Sequence, residues 1–98
     1  MKRVPKHQSE KIHFKKQLAA RWNIGRVNHE EYWALCAKAA LAPVVLKQSE
    51  RVSVRLVDIR GENIMCIYDA KRGTLVTCLP RGVMDPEQVH EYVWRRRG

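Results

Sequence analysis

Between residues 51 and 80, three runs of apolar and β-branched residues follow one another with only short turn signals between them. No other stretch limits the possible folds as strongly. The runs cover 52–59, 63–69 and 74–79, and each of the two intervening turns holds a glycine, Gly61 or Gly73. Glycine takes the positive φ that tight hairpin turns require. The pattern predicts an antiparallel three-stranded meander.

Period-two alternation sorts the side chains of these strands onto two faces. On the first run Val52, Val54 and Leu56 share one face, while Ser53 and Arg55 point the other way. The pattern slips beyond Leu56, because Val57 and Ile59 fall on the Arg55 face. Either that end is covered on both sides or the strand carries a bulge. The second run is apolar on both faces, with Ile64, Cys66 and Tyr68 alternating with Met65 and Ile67. On the third, Leu75, Thr77 and Leu79 alternate with Val76 and Cys78. Arg55, Tyr68 and Thr77 are polar groups in an otherwise apolar sheet, so each needs a partner, and a ligand is one candidate.

Helical periodicity frames the meander. Residues 1–8 read as a basic, flexible arm. Ser9 is a suitable N-cap for a helix over 9–22, whose apolar stripe is Ile12, Phe14, Leu18, Ala19 and Trp22. Gly25 marks the break that follows. Asn28 and Glu31 form a capping box for a second helix over 29–41, with Val27 and Tyr32 as its hydrophobic staple. This helix is rich in alanine, suits close packing on the sheet, and is stopped by Pro43. Residues 44–46 are a candidate short strand before a polar turn. Asp85 and Gln88, with Pro86 at the first helical position, start a closing helix over 85–96; Met84 staples onto Val89, and Arg95–Arg97 suit the negative end of the helix dipole. The expected class is α+β in one domain: two N-terminal helices packed on a three- or four-stranded antiparallel sheet, plus a C-terminal helix.

Charge narrows the class of partner. Nineteen Lys and Arg against ten Asp and Glu leave a net charge of +9 on 98 residues. That surplus, clustered in the first quarter and at the C-terminal arginines, points to a polyanionic partner, whether RNA, DNA or an acidic protein, with nucleic acid weighed above the plain alternative of solubility alone. No apolar run is long enough to span a bilayer and no apolar stretch follows the basic start, so a cytoplasmic location is expected. Cys36, Cys66 and Cys78 match no zinc spacing and read as small hydrophobes. No cofactor or metal is expected, since phosphate loops, paired-carboxylate boxes and nucleophile elbows are missing from the sequence.

One constellation remains: His13 and Lys16 on the first helix, with Arg55, Tyr68 and Thr77 on the sheet. The run His13-Phe14-Lys15-Lys16, and the stretch from Tyr68 through Gly73 and Thr77 to Pro80, resemble the small nucleases of the barnase, EndoU, colicin D/E5 and RelE superfamily, nearest to its compact phage or bacterial members. The resemblance covers residues 11–80. It implies an RNA-directed, metal-independent endoribonuclease that uses the ribose 2′-hydroxyl as nucleophile. His13 would be the general acid or base. Lys16 and Arg55 would neutralise charge on phosphorus, Thr77 would position a phosphate oxygen, and Tyr68 would donate a hydrogen bond or stack on a base. Lys11, Lys15, Arg21, Lys71 and Arg72 would hold RNA. The ribosome and an inhibitor or antitoxin protein are further implied partners. The residue after Lys16 is Gln17, where many active members carry a second basic group, so a non-catalytic nucleic-acid- or protein-binding accessory factor is the alternative. Each residue also has a structural role open to it: a solvated helix edge for His13 and Lys16, strand filling for Thr77, ring burial for Tyr68.

Overall fold

The computed structural model describes residues 6–83 and 85–97, with side chains for 9–83 and 85–93. The arm over 1–5, the Met84 staple and the side chains of the C-terminal arginines lie outside these. The element order is α1 (Lys6–Trp22), α2 (His29–Ala40), β1 (Val44–Lys47), β2 (Val52–Ile59), β3 (Glu62–Asp69), β4 (Thr74–Cys78) and α3 (Pro86–Arg97). The four strands form one antiparallel sheet in the order β1-β2-β3-β4. The fold is α+β, with two N-terminal helices, a four-stranded meander and a C-terminal helix.

The hairpin between β2 and β3 turns where the glycine signal lay. Arg60 and Gly61 have φ of 50° and 86°, both positive, as the right-handed twist of the flanking strands favours. The β2–β3 register is unbroken from Val52↔Asp69 to Ile59↔Glu62, so the slip beyond Leu56 is no bulge in that ladder. Val57 and Ile59 lie on the Arg55 face because α1 and α2 cover that face there. Together with Ile64, Cys66, Tyr68, Leu75 and Cys78 they meet Phe14, Leu18, Tyr32, Cys36 and Ala39 in the main core. The opposite face carries Val54 and Leu79 against Val89 and Val93 of α3, with Leu46, Met65 and Ile67 beside them. Register shifts do occur, between Val44 and Leu46 on β1 and between Ile67 and Tyr68 on β3.

Several local expectations are corrected. Helix α1 begins at Lys6 rather than at Ser9, since Lys and Gln are good helix formers and its first turn continues through the serine. Its buried stripe is narrower than the periodicity suggested: Phe14 and Leu18 are fully buried, but Ile12 is 51% exposed and Ala19 is also exposed. The left-handed residue ending α1 is Asn23 (φ 55°) and not Gly25, and the amides of Asn23 and Ile24 return to the carbonyls of Ala19 and Leu18. Only half of the Asn28 box forms. Asn28 Oδ1 accepts from the Glu31 amide at 2.8 Å, but the Glu31 carboxylate turns to Arg60, which donates to it at 2.7 and 3.0 Å. A bidentate charged pair outweighs a single bond to an exposed amide. The start of α3 is reciprocal: Asp85 Oδ1 accepts from the Gln88 amide and Gln88 Oε1 from the Asp85 amide.

These conformations separate two glycines. Gly61→Ala forces a Cβ onto a residue at φ 86° and is expected to cost about 1 kcal/mol. Gly25 has a φ outside the positive region and open space where a Cβ would stand, so Gly25→Ala is expected to be neutral or to stabilise by about 0.4–1 kcal/mol. Urea unfolding of the two variants checks the contrast.

Candidate functional site

α1 lies along β4, an edge strand, and supplies side-chain donors to the carbonyls where that strand ends. Arg21 Nη1 donates to the Cys78 carbonyl at 2.7 Å and Trp22 Nε1 to the Leu79 carbonyl at 2.7 Å. This placement brings His13 to the rim of the face covered by α3. There His13, Gln48, Ser49, Val52, Ile67, Thr77, Tyr92 and Val93 line a cleft of about 340 Å³. Thr77 reaches it because it pairs with Ile67, which puts it on the α3 face. Apolar walls, an aromatic ring and a few hydrogen-bonding groups at the edge suit a small planar ligand or an unstacked base.

The structure brings together His13 and Thr77 and separates the other three residues of the constellation from them. Arg55 and Tyr68 lie on the opposite face, with the Arg55 guanidinium 5.0 Å from the centroid of the Tyr68 ring. Arg55 Nη1 donates to the carbonyls of Ala39 and Ala40 at 3.2 and 2.9 Å, and Nε to Ser53 Oγ at 2.9 Å. It therefore serves the C-terminal end of α2, where orphan carbonyls and the negative end of the helix dipole favour a cation. Lys16 lines a separate groove with Ile12, Lys15 and Ala19.

The five residues read as nucleic-acid contacts also divide. Lys11 Nζ lies 2.9 Å from His29 Nδ1. Arg21, besides its bond to β4, stands 5.9 Å from the Tyr92 ring centroid. Arg72 bridges to Glu10 at 3.2 Å and lies 3.9 Å from Asp69. Lys15 lines the separate groove and Lys71 is exposed on the β3–β4 turn.

Thr74 Oγ1 also donates to Glu10, and Asp69 accepts from the Arg51 guanidinium and from the amides of Lys71 and Arg72. Burial pushes the Asp69 carboxyl up, but the Arg51 bonds and the two amides more than offset this and hold it below its ordinary 3.8.

Thiol chemistry has no opening here. Cys36, Cys66 and Cys78 are free and buried, and burial raises all three thiols, Cys78 to about 11, so they stay protonated and inert near neutral pH. Among the described residues no group of three His, Cys, Asp or Glu side chains is placed to hold a metal ion, and no helix is long and apolar enough to cross a membrane.

Sequence reasoning missed Gln48, Ser49 and Val52 as lining residues, and Tyr92 and Val93 were legible only as the inner face of α3. Nothing in a linear pattern shows that the β1–β2 turn and α3 meet over one end of the sheet. Comparison of the chain with protein-family models, curated proteins and solved structures found no match.

Two outcomes follow. Arg55→Ala removes the side-chain donor to the Ala40 carbonyl and to Ser53 and is expected to lower stability by about 1–3 kcal/mol in urea unfolding. Asp69 stabilises the fold above the ordinary carboxylate pKa, and that contribution is lost as pH falls through its depressed folded value. Wild type should therefore lose stability below pH about 4 more steeply than Asp69→Asn, which thermal melts across an acid series would show.

Proposed function

We propose that this chain is an RNA-binding protein with the fold of the barnase, EndoU, colicin D/E5 and RelE superfamily, and that it holds an unstacked nucleotide in the cleft between α1, the sheet and α3. The observation that carries the proposal is that His13 and Thr77 line one cleft with the ring of Tyr92, offering edge hydrogen bonds beside an aromatic face. The order of two helices followed by a four-stranded meander agrees with it. A net charge of +9 supplies long-range attraction for phosphates.

Binding is favoured over cleavage by the position of Arg55. Phosphoryl transfer develops charge on phosphorus that a cation must meet. Arg55 is engaged with α2 on the far face, and among the described residues that line the cleft there is neither lysine nor arginine. The second reading, a metal-independent endoribonuclease, rests on the place of His13 at the rim of the cleft, since an imidazole is the side chain most often used for general acid–base work.

Mixed-sequence RNA incubated with the purified protein in EDTA, with His13→Ala alongside, tests both. The expected result is intact RNA that shifts on a native gel at low salt, with affinity falling steeply as salt rises and about three- to tenfold weaker binding by His13→Ala. Fragments ending in 2′,3′-cyclic phosphate from wild type and none from His13→Ala would make the protein a nuclease instead. RNA that stays intact and unshifted at low salt would overturn RNA binding altogether.

A further inference from the structure

A second concavity lies on the other flank of α1, between that helix and the loop leading to α2. Its volume is about 390 Å³, and it is lined by Ile12, Lys15, Lys16 and Ala19 of α1 and by Ile24, Gly25, Arg26 and Val27 of the loop. The floor is aliphatic: Ile24 and Val27 are buried beneath it, while half of Ile12 is left to solvent. The rim is cationic.

Those rim cations differ from most of the other cations among the described residues. Lys38, Arg51, Arg60, Arg72 and Arg81 each meet a carboxylate, and Arg21 and Arg55 are bonded to backbone carbonyls. Lys15, Lys16 and Arg26 have no ion pair among the described residues, although they stand around one groove. Arg26 is also held at φ 57°, in the left-handed region that is unfavourable for a non-glycine residue. The loop is fixed there by Arg60, which donates to the carbonyls of Gly25 and Arg26 at 2.7 and 3.2 Å while gripping Glu31. A strained backbone thus carries an unpaired cation to the rim of an apolar groove, and strain of this kind gathers at binding sites.

We infer that this groove docks an acidic segment of another protein, with aliphatic side chains seated on Ile12, Ala19, Ile24 and Val27 and Asp or Glu side chains meeting Lys15, Lys16 and Arg26. Charge complementarity selects an acidic partner, and the aliphatic floor makes it a peptide. Single-stranded RNA gains most from aromatic rings on which bases stack, and none of the described residues lining the groove is aromatic. Leucine, isoleucine and valine side chains fit such a floor, as in other helix-in-groove complexes. The site is separate from the His13–Thr77 cleft and does not depend on what that cleft binds.

The test titrates the ¹⁵N-labelled full-length protein with three probes: a synthetic amphipathic peptide of Leu and Glu, the same peptide with Gln for Glu, and a ten-residue oligouridylate. The acidic peptide should shift the amides of residues 12–19 and 24–27, and the Gln version should bind at least about tenfold more weakly. Lys15→Glu with Lys16→Glu should cost a similar factor without changing the melting temperature. Arg26→Gly supplies a control that a purely structural role would not reproduce: removing the strain should raise the melting temperature while weakening the peptide. Peptide shifts that fall elsewhere, or are absent at millimolar peptide, would overturn the inference. So would equal binding of the Gln version, or oligouridylate shifts centred on this groove, which would make it a phosphate track.

Discussion

β3 is apolar on both of its faces, and a strand of that kind has to be covered twice. Ile64, Cys66 and Tyr68 turn to one side and Met65 and Ile67 to the other. One layer of helices cannot bury both sets, so α1 and α2 take the first face and α3 the second. The cleft follows from the unequal size of the two layers. Two helices bury most of their side, whereas a single helix of twelve residues leaves the region around Ile67 and Thr77 partly open where α1 comes round the edge of β4.

The sheet was the most legible part of the chain, because its signals are local. The β2 boundaries follow directly from the β-branched run, and the Arg60–Gly61 turn from its glycine. Asn28 and Asp85 announced the starts of α2 and α3 through side-chain geometry contained within four residues. The errors lie where a long-range partner competes with a local one. Glu31 leaves its own helix cap for Arg60, a residue 29 positions away. Ile12 and Ala19 look like part of a stripe because periodicity cannot tell which edge of a broad stripe the core will reach.

The candidate site was less legible than the fold for a related reason. Arg55 and Thr77 look equivalent in sequence, each a polar group on an apolar strand. The register decides otherwise, since pairing with Cys66 sends Arg55 toward α2 and pairing with Ile67 sends Thr77 toward α3. An arginine inside a sheet advertises a ligand only until its acceptors are known, and here they are the last carbonyls of a neighbouring helix. His13 and Thr77 were grouped in the sequence with Lys16, Arg55 and Tyr68, and only these two line one cleft, whereas Gln48 and Ser49 carried no pattern and came to line it only through the path of the β1–β2 turn.

The three buried thiols bear on how the protein has to be handled outside a reducing environment. In the folded molecule they are shielded from oxidants, and no disulfide contributes to stability. In the unfolded chain the same three groups become accessible together with ordinary acidity, and an odd number cannot be satisfied by pairing within one molecule. Each excursion to the unfolded state in air therefore opens a route to mixed disulfides between chains, and the shelf life of a preparation is set by how often it unfolds rather than by how exposed its folded surface is.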